Sequence, residues 1–234
     1  MTVRRNGPGP TGNERLILLL VGAVGTGKGT QAKALSRELG LPHLASGNLF
    51  RAAMAAGTPI GEEAQQYMKR GELVPDEITI GMFMEELAKP HAARGAILDG
   101  FPRTVGQATA LDETLDAVGE EVDRVIFIEL PTDIILRRVS GRWICPTCST
   151  PYHETADPPR VHGICDREGA ALVQRDDDKP EVVQARLNSQ VPPMLAVVEH
   201  YERAGIVDHI DGRQSVDAVT SDILGRIGAV AKGE

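Results

Sequence analysis

Between an apolar run, Leu16 to Val21, and a helical pattern that continues from Gln31 lies Gly22-Ala23-Val24-Gly25-Thr26-Gly27-Lys28-Gly29-Thr30. Strand, glycine-rich turn and helix make the setting in which GxxxxGK cradles phosphate. Glycines lack the Cβ that would keep backbone N–H groups from converging on an anion, the helix N-terminus adds partial positive charge, and Lys28 can reach outer phosphates. Gly29 stands where the usual motif carries its hydroxyl, so Thr30 is expected to offer one to Mg²⁺ or phosphate. Asp99 closes another short apolar run, Ala96 to Leu98. A carboxylate at the end of a buried strand can hold Mg²⁺ through its waters. Capping the next helix is the alternative for Asp99, but that pattern starts too far downstream, at Thr104. Arginines cluster at Arg137, Arg138 and Arg142 and again at Arg175 and Arg186.

A second chemistry is carried by sulfur. Cys145 and Cys148, and then Cys165 and Glu168, form two x₂ knuckles separated by a loop, the spacing of a structural Zn²⁺ site of three thiolates and one oxygen. Glu168 is the expected fourth ligand, with Asp166, His153 and His162 as rivals. Buried free thiols, or a Cys145–Cys148 redox pair, are the alternatives. A lobe this poor in apolar residues needs the ion as a scaffold. The six histidines suggest no triad or metal constellation.

The elements that position these groups follow from the pattern. The chain has 234 residues, 41% of them hydrophobic, enough for one α/β domain with inserted lobes. Its formal charge of −8 argues against nucleic acid or an anionic membrane as the main partner and, with clustered arginines, for a small polyanion in a cleft. No run approaches the roughly 18 apolar residues of a membrane span. Three cysteines make no secreted disulfide framework. A soluble, cytoplasmic monomer is expected.

Residues 1–14 read as a flexible tail, and 15–44, 75–140 and 179–234 as a core of five parallel strands alternating with helices. Two insertions interrupt it. Residues 45–74 suggest two short helices broken at Gly57-Thr58-Pro59, and 141–178, rich in Cys, Pro, Gly, Thr and Asp, an irregular lobe. Lys179 to Ala204 is expected as helix, kinked or interrupted at Pro192-Pro193.

Asp99-Gly100-Phe101-Pro102-Arg103-Thr104 with Gln107, the continuation of the phosphate loop to Gln31, Ser46-Gly47-Asn48-Leu49-Phe50-Arg51 and Gly71-Glu72-Leu73-Val74-Pro75-Asp76 carry a family likeness. Together they resemble the adenylate kinases, nucleoside monophosphate kinases of the P-loop fold, in their long-lid, zinc-bearing bacterial form. The likeness runs from Leu16 to about Gly228. It implies Mg²⁺-dependent, reversible transfer of the terminal phosphoryl of ATP to AMP, giving two ADP, in adenine nucleotide homeostasis. By position, Gly25, Thr26, Gly27, Lys28, Gly29, Thr30, Arg138, Arg142, Pro151, Tyr152 and Gln214 would bind ATP. Ser46, Arg51, Glu72, Leu73, Val74, Gly100, Phe101, Pro102, Arg103 and Gln107 would hold AMP, Gln107 reading its base. Arg175 and Arg186 would clamp the migrating phosphate beside AMP, oriented by Asp176 and Asp177. Residues 45–74 would be the nucleoside-monophosphate lobe and 141–178 the lid. Val24, Asn48 and Ser46 depart from common family residues without removing a phosphate ligand, and Asn48 can still cap.

The residue chemistry agrees with that likeness. AMP's phosphate, with a second pKa near ~6, needs no general base, so catalysis by Lys28, Arg103, Arg138, Arg142, Arg175 and Arg186 would be positioning and charge neutralisation. Two readings compete with it. One is a uridylate or cytidylate kinase. The other is a non-catalytic zinc-knuckle protein that binds nucleotide, which Lys28, Arg103 and the scarcity of aromatics for base stacking count against.

Overall fold

Five parallel strands form the central sheet of this computed structural model, which describes residues 15–70, 72–148, 150–175 and 178–232. The strands are β1 (Leu16–Val21), β2 (His43–Ala45), β3 (Gly95–Asp99), β4 (Arg124–Glu129) and, after a separate short pair, β7 (Val207–Asp211), in the order β2-β3-β1-β4-β7. Leu16 lies opposite Gly95 and Leu20 opposite Asp99, so β1 and β3 end side by side.

A continuous apolar strand at the centre of a parallel sheet has both faces to bury. Ile17, Leu19 and Val21 enter one cluster, with Leu98, Phe101, Phe127 and Val197. Leu18 and Leu20 enter the opposite one, with Ala32, Leu35, Ile126 and Ile223. Helices α1 (Lys28–Leu39) and α8 (Val216–Lys232) supply the second face. The first face is covered by α4 (Asp76–Leu87), α5 (Val105–Asp116) and α7 (Pro180–Glu202).

The segment expected as two short helices contains α2 (Ser46–Ala55) and α3 (Pro59–Arg70). They approach closely at Gly61, where an added Cβ would lie 2.3 Å from the carbonyl carbon of Ala53. Phe50, Ala64 and Val74 make the small core beneath them.

Three details differ from expectation. First, of the kink or interruption expected at Pro192-Pro193, the interruption is absent: α7 runs as one 23-residue helix through both prolines. The carbonyls of Asn188 and Ser189, which lose their donors to the two prolines, sit on exposed residues where water can replace them. Second, the supposedly irregular insertion, which follows α6 (Thr132–Ser140), contains an antiparallel pair, β5 (Arg142–Ile144) and β6 (Pro151–His153). Three residues per strand are too few for an alternation to register in sequence. Third, Asn48 does not cap α2, whose N-cap is Ala45 without a side-chain bond; its Oδ1 instead accepts from Arg51 Nη2 at 2.7 Å. Residues 1–14 lie outside the described residues. No helix among the described residues is long and apolar enough to cross a membrane.

Candidate functional site

A cleft of ≈ 970 Å³ opens beyond the ends of β1 and β3, where open parallel sheets place their ligands. Its floor is the loop from Val24 into α1, including Gly25, Thr26, Gly27, Lys28, Gly29 and Thr30. Gly25 and Gly27 hold φ of 80° and 98°, a left-handed backbone that side chains resist. At Gly25 a Cβ would also strike Val139 Cγ2 at 2.5 Å. The loop can therefore keep its shape only with glycine there. Thr30 is exposed at the first turn of α1, and Thr26 is buried, its Oγ1 donating to Ala23 O at 2.9 Å.

The expected residues meet in this cleft from the core and from both insertions. Ser46, Arg51, Glu72, Leu73, Val74, Asp99, Gly100, Arg103 and Gln107 line it, as do Arg138, Arg142, Pro151, Tyr152, Arg175, Arg186 and Gln214. Two do not join them. Phe101 is 1% exposed and stacks on Phe83 with ring centroids 4.2 Å apart, so it is a core residue. Pro102 lines a smaller recess behind Gly100 and Arg103.

The cations are held by neutral or acidic partners. Lys28 Nζ donates to the carbonyls of Gly22 and Ala23 at 2.6 and 2.8 Å. Arg103 Nε donates to Gly100 O at 2.7 Å, and its terminal nitrogens to Ser46 Oγ at 3.1 Å and Gln190 Oε1 at 3.3 Å. Arg142 makes a two-point pair with Asp178, which is completely buried; its Nε donates to Oδ2 at 2.9 Å and its Nη2 to Oδ1. Arg138 Nη2 donates to Gly212 O at 3.0 Å, and Gln214 Nε2 to Asp211 O at 3.4 Å.

Burial and mutual repulsion lower the pKa values of Lys28 and Arg103. Burial lowers the Lys28 pKa to about 8; Asp99 opposes the fall, while Arg103, Arg186 and Arg142 deepen it. Burial and then Arg186 bring Arg103 down to about 10. Asp99 behaves in the opposite way. Burial would raise it, but the hydrogen bond from His43 Nε2 at 3.1 Å and the charge of Lys28 keep it below the usual carboxylate value. A cleft lined by cations that depress one another's pKa values suits a polyanion, whose charge would relieve them all.

Cys145, Cys148 and Cys165 form a group whose sulfur atoms lie within 4.8 Å of one another and can hold a metal ion. Among the described residues, Glu168, Asp166, His153 and His162 add no atom to it. Asp166 Oδ1 accepts from Arg160 N at 2.8 Å and His153 Nδ1 from Thr155 N at 3.2 Å, so two of the rivals are otherwise engaged. Burial pushes the Cys165 thiol up, but the Tyr152 hydroxyl 3.4 Å from its sulfur, with backbone N–H groups of Arg167 and Glu168, brings it down to about 6. That favours the thiolate, the form that binds metal.

Sequence reasoning missed Asp178, His43 and Asp76, each of which fixes a cleft residue through a bond across the fold. Asp176 and Asp177, expected to orient the arginines, lie outside the described residues. Those two were expected from the family likeness alone; the acidic run that contains them extends to Asp178 and was the available signal. Asp76 stands at the end of the Gly71–Asp76 motif, which marked its place without its role, and nothing in the sequence pointed to His43.

The model of one protein family, described as adenylate kinase, matches residues 20–206. An adenylate kinase of Bacillus subtilis is 43% identical over 215 residues, 92% of this chain and 99% of its own. One from Exiguobacterium sibiricum is 44% identical over 211 residues, 90% of this chain and 98% of its own. One from Staphylococcus epidermidis is 43% identical over 207 residues, 88% and 96% of the two.

Proposed function

The chain belongs to the adenylate kinase family, and we propose from its cleft how it carries the terminal phosphoryl of ATP to AMP. It is a phosphotransferase, a nucleoside monophosphate kinase. ATP would lie against the loop Gly25–Thr30, with Arg138, Arg142, Pro151, Tyr152 and Gln214 around it. AMP would lie opposite, among Ser46, Arg51, Glu72, Leu73, Val74, Gly100, Arg103 and Gln107, Gln107 reading its base. Residues 45–74 and 141–178 act as flaps whose closure excludes water, which would otherwise take the phosphoryl group.

In the transfer, an oxygen of the AMP phosphate forms a bond to the terminal phosphorus of ATP as the bridging bond to ADP breaks. The acceptor is already an anion, so no base has to remove a proton. What the chain supplies is charge. Lys28 leaves the carbonyls of Gly22 and Ala23 for phosphate oxygens, and Arg103, Arg142, Arg175 and Arg186 gather on the migrating group. An arginine so placed is worth roughly 10³–10⁵ in rate in phosphoryl transfer.

Asp99 and Thr30 would hold Mg²⁺ through water, and the ion would neutralise charge on the nucleotide phosphates. Asp99 Oδ2 fits that role, since it would lie only 3.6 Å from a Cβ added at Gly29 in the first turn of α1. For the sulfur site we propose Zn²⁺. The gap between Cys148 and Cys165 sulfurs is 3.7 Å, matching the edge of about 3.8 Å that tetrahedral Zn–S bonds of ~2.3 Å require. Glu168 completes the set only after moving to the sulfurs. The protein would work as a cytoplasmic monomer, without nucleic acid or membrane.

The observation that carries this reading is the convergence of Lys28, Arg103, Arg142, Arg175 and Arg186 on one cleft. A coupled assay with ATP, AMP and Mg²⁺ tests it. Lys28→Met should lose at least about 10³-fold in kcat while melting no lower than the parent; retention of the rate would refute it. A panel of AMP, UMP, CMP and GMP checks the acceptor, with AMP expected first.

A further inference from the structure

Gln107 is 1% exposed, yet it lines the cleft, and both ends of its carboxamide are already engaged. Its Oε1 accepts from the backbone N–H of Arg103 at 2.8 Å. Its Nε2 donates to Asp76 Oδ1 at 2.7 Å. The other carboxylate oxygen of Asp76 accepts from the Thr104 hydroxyl at 2.6 Å, and that hydroxyl accepts in turn from Gln107 N at 3.1 Å as the cap of α5. A backbone N–H can only donate and a carboxylate only accept. Turning the amide over would set two donors together at Arg103 and two acceptors together at Asp76. Only one orientation is therefore allowed, leaving one lone pair and one N–H for the cleft.

We propose that Asp76 is the positioning residue that makes Gln107 read a 6-aminopurine and reject a 6-oxopurine; this rests on the assignment of Gln107 as base reader above. Adenine offers a donor at its 6-amino group and an acceptor at the neighbouring ring nitrogen. The lone pair and N–H left on the locked amide match that pair. Hypoxanthine and guanine reverse both positions, so they would fit only an amide turned over. Asp76 thus contributes specificity without touching the nucleotide. Gly106 leaves space for it: a Cβ there would lie 3.1 Å from Asp76 Oδ2.

Inosine monophosphate is the informative competitor, because it differs from AMP at the 6-position and the adjoining proton alone. The test compares kcat/KM for AMP and for IMP in the parent, Asp76→Asn, Asp76→Glu and Gln107→Leu enzymes. Asparagine can present either a donor or an acceptor to Gln107, so its AMP-to-IMP ratio should fall roughly tenfold, the scale of one well-placed base contact. KM for AMP should rise, and KM for ATP should stay unchanged. Glutamate still only accepts, and should keep more of the preference. If Asp76→Asn does not fold, Asp76→Ser replaces it, because a hydroxyl also turns either way. An unchanged ratio in the asparagine or serine variant, or equal falls in asparagine and glutamate variants, would overturn the lock while leaving Gln107 as reader. An unchanged ratio in Gln107→Leu would remove the base reading itself, and the lock with it.

Discussion

The central sheet and the insertion at 141–178 are held together by different physics. In the sheet, Ile17, Leu18, Leu19, Ala96, Ile97 and Leu98 are wholly buried, and helices close over both faces. In the insertion, the buried cluster consists of Cys145, Tyr152, Cys165 and Leu172. Two strands of three residues cannot stand alone in water. The Zn²⁺ proposed for the three sulfurs would replace the missing core and let this insertion be stiff within itself. The phosphate loop needs the reverse. It springs from β1, the strand flanked on both sides by β3 and β4, and so its backbone amides can be preorganised around the anion.

The contrast can be broken at its strongest point by removing the Zn²⁺ proposed for the sulfur site. Structural Zn²⁺ sites in small peptides are worth about 10–16 kcal/mol. Chelation, or Cys165→Ser, should therefore abolish amide protection in β5 and β6 while β1 and β3 keep theirs, as read by hydrogen exchange. Equal loss in sheet and flap would show that the two regions share one cooperative core.

A smaller effect sharpens the same difference. Leu19→Ala should cost about 2–5 kcal/mol of global stability through its cavity. Leu172→Ala should loosen exchange in residues 142–173 and leave the main denaturation midpoint near the parent's. If Leu172→Ala shifts the midpoint as far as Leu19→Ala, the flap is no separate unit.

The smallest effect concerns the loop's charge. Lys28 falls from 10.5 unfolded to about 8 folded. Between those values the unfolded chain binds a proton that the folded chain has released, so ligand-free stability rises with pH across that window, by at most about 3 kcal/mol. Denaturation of the parent minus that of Lys28→Met, measured from pH 7 to 10.5, should show this rise. A flat difference would mean that the loop carries its lysine without strain.

The two regions were also unequally legible. Strands such as Leu16–Val21, and the Val125–Ile128 stretch within Arg124–Glu129, announce themselves as continuous apolar runs, because a parallel strand buries both faces. The β5–β6 pair does not, since each strand is three residues long and its partners are cysteine, proline and threonine turns. Helix α7 was legible from the sequence, and a local rule obscured only its continuity. Pro192 and Pro193 disfavour helix, but packing of Val183, Leu187, Val197 and Val198 against the core outweighs them. At the site, Lys28, Arg103 and the three cysteines sit in motifs with local spacing. Asp178 on Arg142, His43 on Asp99 and Asp76 on Gln107 act across 36, 56 and 31 positions of chain, where no periodicity links them.

The central claim is that fixed cations from both sides of one cleft gather on a moving phosphoryl group. A crystal structure with two adenosines joined through a polyphosphate chain tests it most directly. The account predicts nitrogen atoms of Lys28, Arg103, Arg142, Arg175 and Arg186 at hydrogen-bond distance, roughly 2.7–3.2 Å, from the bridging phosphate oxygens. It would be contradicted by a filled, closed cleft in which Lys28 still bonds Gly22 and Ala23 and the arginines stand apart from the phosphates.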